Sequence, residues 1–240
     1  MGRVLALLYG IVSYAVFFVT FFYAVGFVGN IVVPKSIDSG GQGPFGTSLL
    51  VDVILLGLFA TQHSVMARPW FKQAWTRIVP RVIERSTYVL LSSLILALLF
   101  WQWRPLLAIV WDVRNPVAVV ILQILFFAGW VIVLASTALI NHSDLFGLRQ
   151  VYLYDNYTEL GFRTPLFYRI VRHPIMLGFI IAFWATPRMS LGHLLFAGAT
   201  TAYILIAIQL EERDLSSIYG ALYADYRRRV SMLIPLPRRR

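Results

Sequence analysis

The chain of 240 residues is 59% hydrophobic and only 13% charged, which leaves too little polar surface for a water-soluble domain and marks an integral membrane protein. Its net charge of +10 does not point to nucleic acid, because the basic residues sit in short segments between apolar runs and not in a stripe with interleaved aromatics. The absence of cysteine excludes disulfides, iron–sulfur clusters and a thiol nucleophile.

In chain order, apolar runs over Val4–Val28, Leu49–Met66, Tyr88–Trp103 and Val117–Ile140 approach the roughly 20 residues that cross a bilayer as a helix. The first is too long for the core of a cleavable signal and lacks a small-residue cleavage site. A shorter run, Ile175–Ala185, and a full one, Leu191–Leu210, are separated only by "TPRMS" and predict a tight helical hairpin. The expected fold is therefore all-α, a polytopic membrane bundle of five to six transmembrane helices. It reads as one domain: four helices over 1–140, a polar segment over 141–172, and the hairpin and tail over 173–240. With six crossings and the N-terminus inside, 17 of the 21 Lys and Arg fall on the inner side, so both termini are expected in the cytoplasm. The segment 141–172 and the tail from Glu211 then share that side with most ionisable residues.

The tail "QLEERDLSSIYGALYADYRRRVSMLIPLP" (Gln209–Pro237) carries Glu211 and Glu212 and then Tyr219, Tyr223 and Tyr226. As one helix it would place the three tyrosines on a common face. Two readings stay open on this pattern: an interfacial amphipathic helix with a tyrosine belt against anionic lipid, or an acidic and aromatic surface folded back toward the membrane. His63 and His142 end apolar spans, where an imidazole serves either a carbonyl hydrogen bond or a site. His193, in a short outer turn, is expected to be solvated.

"RHPIMLG" (172–178), a hydrophobic hairpin, "EERDL", "YG" and a terminal "IPLP" resemble the carboxy-terminal region of the isoprenylcysteine carboxyl methyltransferase superfamily. "QHSVMARPWFK", "ERSTYVLLSSL" and above all "HSDLFGLRQV" (142–151) resemble the bacterial methanethiol S-methyltransferase family, which is related to the nitrite-reductase-associated membrane proteins. The resemblance implies a bacterial inner-membrane enzyme that uses S-adenosyl-L-methionine. It implies a cofactor pocket enclosed by Arg172, His173, Pro174, Met176, Gly178, Glu211, Glu212 and Tyr223, and capped by a cytoplasmic C-terminal helix. Met176 stands where the superfamily often has tyrosine.

The implied acceptor is a small thiol, methanethiol, converted to dimethyl sulfide by in-line transfer to a thiolate. His142 is then the candidate base, Asp144 its orienting partner, and Arg149 the stabiliser of the developing anion; Tyr88 either donates to the thiolate or belongs to an aromatic belt. Trp130, Phe146 and Trp184 are candidate pocket walls. Membrane lipid is an expected partner, and neither a metal, nucleic acid nor an obligate protein partner is expected. Three alternatives accompany this reading: a carboxyl methyltransferase for a lipid or isoprenylcysteine, a haem-binding isomerase-like protein using His63 and His142, and a transport protein with Arg172, Glu211 and Glu212 on an ion path. The stretch Gly147–Pro165 is either a lid or a surface loop.

Overall fold

The computed structural model describes residues 2–235, so Leu236 and Pro237 of the "IPLP" motif lie outside the described residues. In chain order the elements are α1 (Arg3–Gly29), α2 (Phe45–Ala67), α3 (Pro69–Trp75), α4 (Glu84–Gln102), β1 (Ile109–Asp112), α5 (Pro116–Ile140), α6 (His142–Leu145), α7 (Leu148–Leu153), α8 (Pro174–Trp184), β2 (Arg188–Ser190), α9 (Leu191–Tyr219) and α10 (Ala221–Arg229). Helices α1, α2, α5 and α9, and α4 with the turn before it, are long and apolar enough to cross a membrane. The fold is an all-α polytopic membrane bundle, and its two short strands pair with each other. Helix α8, with 11 residues, spans about 16 Å, roughly half of a hydrocarbon core.

Local sequence explains the boundaries. Asn115 caps α5 by accepting from the backbone N–H groups of Val117 and Ala118, with Pro116 at the first helical position, where its missing N–H costs nothing. Pro174 opens α8 in the same way. Helix α9 runs nine residues beyond the apolar stretch that ends at Leu210. Nothing from Glu211 to Tyr219 breaks a helix, and the turn comes only at Gly220, where φ is 49°. The tail is therefore two helices meeting at Gly220 and not one.

The described residues form two compact units, each discontinuous in sequence. The first comprises residues up to Trp111, Ser143–Thr158 and Arg188–Phe196. In it α4 packs between α1 and α2, and α7 lies on α1. An aromatic cluster of Phe27, Phe100, Trp103 and Phe196 fills its core, and the Trp103 indole N–H donates to the Ile37 carbonyl at 3.1 Å. His193, expected in solvent, is 1% exposed. The reason is that Ser190 caps α9, its Oγ accepting the His193 N–H at 3.0 Å, so the helix starts at once and draws His193 into the core.

The second unit comprises Asp112–His142, Glu159–Pro187 and the described residues from Ala197 on. Helices α5 and α8 pack face to face in it. A Cβ on Gly129 would come within 2.6 Å of the Gly178 carbonyl oxygen, and one on Gly178 within 2.7 Å of the Gly129 carbonyl oxygen, so only glycine permits this backbone approach. Around the crossing, Trp130 meets Phe179 and Phe183 edge-on. Helix α9 contributes Ile204 and Ile208 to a cluster with Leu233, against which Met176 and Leu177 pack.

Candidate active site

The second unit gathers most of the ionisable residues that the sequence singled out. Arg172 precedes α8, and Glu211 and Glu212 lie on the polar extension of α9. The Arg172 guanidinium places both Nε and Nη2 at 2.7 Å from Glu212 Oε1, and its Nη1 donates to the carbonyls of Val230 at 2.6 Å and Arg227 at 3.2 Å. Backbone pairing closes the same contact, with the Arg172 N–H donating to the Ser231 carbonyl and the His173 N–H to that of Met232. Arg172 thus ties the end of α10 and the following strand-like segment to the head of α8. Arg172 and Glu212 are both buried, and Arg227 Nε at 3.5 Å completes the carboxylate's ion pairs.

His173 lies between the two carboxylates, with Nε2 at 3.0 Å from Glu212 Oε1 and Nδ1 at 3.5 Å from Glu211 Oε2. Burial alone would lower its pKa; hydrogen bonds and charge from Glu211 and Glu212 outweigh that and raise it above the ordinary 6.5. Glu211 remains half-exposed and is the carboxylate of this group that reaches outward.

Above these charges stands an aromatic box. Phe162 touches Tyr219, Tyr223 and Tyr226, with ring centroids between 5.3 and 5.8 Å. The three tyrosines still share one cluster although they belong to two helices. The Tyr226 hydroxyl donates to the Tyr168 carbonyl, and the Tyr168 hydroxyl donates to the Ser136 carbonyl on α5 at 3.4 Å. Tyr223 is 1% exposed, and among the described residues its buried hydroxyl has no hydrogen-bond partner. Burial, with the charge of Glu212 next, holds the Tyr223 phenol well above its ordinary range, and burial pushes Tyr226 up to about 12.

Of the other residues in the implied pocket, Pro174 starts α8 and is buried, and Met176 packs against the Ile204–Ile208–Leu233 cluster. Gly178 faces α5, where its open side is filled by Gly129 and Val133, so its place is in helix packing. Trp130 belongs to that same packed crossing, and the Trp184 indole N–H donates to Thr201 Oγ1 at 2.9 Å.

His142 follows the last turn of α5. Its Nδ1 lies 3.0 Å from Thr137 Oγ1, and burial lowers its pKa from 6.5, which favours the neutral ring. Thr137 carried no sequence signal beyond its place one turn and a half before the histidine.

The rest of "HSDLFGLRQV" belongs to the first unit. Asp144 pairs with Arg149 at 3.2 Å and with Arg85 at 3.7 Å. Arg149 also donates to the Thr158 carbonyl at 2.7 Å and lies over the Tyr157 ring at 5.2 Å. Gly147, at φ 81°, lets α7 begin where a Cβ would come within 2.6 Å of Ser86 Oγ. Val151 is fully buried beside Gly10 of α1, so the start of the 147–165 stretch is a packed helix. Phe146 stacks on Phe17 at 4.0 Å.

Tyr88, also in the first unit, has its hydroxyl 2.9 Å from His63 Nε2. Ser92 Oγ lies 3.3 Å from His63 Nδ1 and donates to Gln62 Oε1 at 3.2 Å, making a polar network between α2 and α4. Of this group the sequence singled out Tyr88, as a candidate thiolate donor, and His63, in the haem alternative, but neither Gln62 nor Ser92. The single "QHS" string and a tyrosine 25 residues later hold no spacing rule that pairs them.

Comparison with known proteins places these features in context. The family described as "NnrU protein" matches residues 51–210. A methanethiol S-methyltransferase of Mycobacterium tuberculosis is 59% identical over 242 residues, covering 100% of this chain and 99% of the relative. One of Crocosphaera subtropica is 58% identical, covering 98% of this chain and 93% of the relative. Nurim of Mus musculus is 31% identical over 73% of this chain and 71% of its own length. No solved structure matches this chain.

Proposed function

The chain belongs to the NnrU protein family, and we propose that it is a membrane methyltransferase that moves a methyl group from S-adenosylmethionine onto methanethiol, releasing dimethyl sulfide on the cytoplasmic side. Near full-length identity to methanethiol S-methyltransferases supports the acceptor. The excess of basic residues on one set of loops supports the sidedness.

The observation that carries the donor assignment is the buried Tyr223 hydroxyl, without a partner among the described residues in the box of Phe162, Tyr219 and Tyr226 and subject to the charges of Glu212, Arg172 and Glu211. A buried donor without a partner is costly, and a polar ligand relieves it. The residues present fit an adenosyl amino acid. Aromatic rings suit adenine, the outward carboxylate of Glu211 suits an ammonium or ribose hydroxyls, and the Tyr223 O–H offers one further hydrogen bond. When bound, the cofactor supplies an electrophilic methyl group on a sulfonium.

The protein's own residues supply position and a proton acceptor. Arg172, Glu212 and the 231–232 segment brace α8, α9 and α10 around the box, and His173 fixes the orientation of both glutamates. His142, held neutral by burial, accepts the thiol proton, and the sulfur keeps the electron pair. Arg149, paired with Asp144, and Tyr88, hydrogen-bonded to His63, belong to the first unit, and the thiolate-stabilising roles the family resemblance implies for them are tested separately by their own variants.

Equilibrium binding of radiolabelled S-adenosylmethionine to the full chain in lipid nanodiscs tests the donor assignment. Saturable binding is expected, weakened about three- to tenfold by Tyr223→Phe and more by Glu211→Gln. Wild type that binds none, or variants that bind equally well, would contradict it.

A further inference from the structure

We infer that Thr137 is a positioning residue for His142: it holds the imidazole in the tautomer with the proton on Nδ1 and the lone pair on Nε2, making Nε2 the atom that takes the thiol proton. The inference rests on the functional reading above and assigns a residue and an atom to it.

The tautomer follows from counting protons. Thr137 Oγ1 lies 2.8 Å from the Leu134 carbonyl oxygen and 3.0 Å from His142 Nδ1. The carbonyl can only accept, so it takes the single hydroxyl proton of Thr137. The hydroxyl oxygen then accepts, and the proton between it and the imidazole belongs to Nδ1. In a neutral ring the other nitrogen, Nε2, carries the lone pair, and burial of His142 favours that neutral ring. Thr137 is itself buried, at 5% exposure, so water does not compete for this bond.

The backbone supports the same placement. Asn141, between α5 and His142, has φ 149° and ψ 90°, a region that residues other than glycine rarely adopt. The Asn141 N–H donates to the Thr137 carbonyl at 3.2 Å. Thr137 thus holds the strained link through its main chain and the ring through its side chain. Next to it, the Ser136 carbonyl accepts from Tyr168, whose own carbonyl accepts from Tyr226 of α10, so this turn is tied to the helix that borders the aromatic box.

In the step so described, the thiol S–H bond breaks with its electron pair left on sulfur, and the proton bonds to Nε2. The resulting imidazolium keeps Nδ1–H on Thr137 and later releases the Nε2 proton to water.

The test uses the full chain with ring-15N histidine, in which His142→Gln identifies the His142 resonances. The wild type is expected to show Nδ1–H and an unprotonated Nε2 at His142. Thr137→Val, close to isosteric, is expected to populate the Nε2–H form and to lower kcat for methanethiol about ten- to a hundredfold with KM within about twofold. Thr137→Ser, which keeps the hydroxyl, is expected to restore both. A wild-type His142 protonated on Nε2, a valine variant with unchanged tautomer and kcat, or a serine variant as impaired as valine would overturn the proposal. A wild type with the expected tautomer that methylates no thiol would instead overturn the functional reading, and the tautomer result would stand apart from it.

Discussion

Tyr223 makes a residue-scale prediction under the proposed function, because its hydroxyl, without a partner among the described residues, is a burden in the cofactor-free protein and would be an asset in a cofactor complex. Removing an unsatisfied buried hydroxyl relieves about 1–3 kcal/mol. Tyr223→Phe is therefore expected to raise the melting temperature of the cofactor-free protein while it weakens cofactor binding, both measurable by thermal shift with and without ligand. A lowered melting temperature would mean that the hydroxyl is satisfied. His173 predicts a pH dependence. Its folded-state pKa is raised, so the folded protein holds this proton more tightly than the unfolded chain. The stabilisation is complete below the ordinary 6.5 and fades as pH rises through the raised value. Melting temperature followed from about pH 6 to 9 should fall accordingly, and His173→Asn should flatten that part of the curve. At this scale the residues of the buried ion-pair cluster could be picked out from the "RHP" and "EER" strings, but their partners could not. Arg172 bonds to groups 40, 55 and 58 residues away, and only the folded chain shows that its donors turn inward to Glu212, Arg227 and Val230.

Among elements, α8 is short, and its place depends on the crossing with α5 and on the Arg172 latch. Gly178→Ala would put a Cβ against the Gly129 carbonyl and the Val133 backbone and force the helices apart, with an expected loss of about 1–3 kcal/mol. Arg172→Met leaves the Glu212 carboxylate buried with fewer partners and frees two carbonyls, at about 3–5 kcal/mol. Hydrogen exchange should then rise over residues 221–233, and unchanged protection there would show that the latch does not hold α10. The apolar helices were readable from composition to within a few residues, since the burial of a continuous apolar run needs no knowledge of neighbours. A helical tail was read, but not that α9 runs unbroken through Glu211 and Glu212 to Tyr219, because polarity marks where a membrane helix leaves the apolar zone and not where its hydrogen bonding stops. The burial of His193 was missed for a related reason: a Ser190 cap turns what looks like a loop into the first turn of a helix.

For the whole molecule, the absence of cysteine makes sidedness directly measurable. Gly41 and Gln73 lie on either side of α2, and a cysteine at each reports its compartment. The basic bias predicts that in right-side-out vesicles a membrane-impermeant maleimide labels Gly41→Cys and spares Gln73→Cys; the reverse would invert the topology. The central claim, transfer of a methyl group from S-adenosylmethionine to methanethiol, is tested most directly by its product. Purified full chain would be given cofactor carrying a trideuterated methyl group together with methanethiol, and the headspace analysed by mass spectrometry. Dimethyl sulfide bearing three deuterons, absent without protein, is the predicted result. No labelled dimethyl sulfide from protein that binds the cofactor would contradict methanethiol as the acceptor.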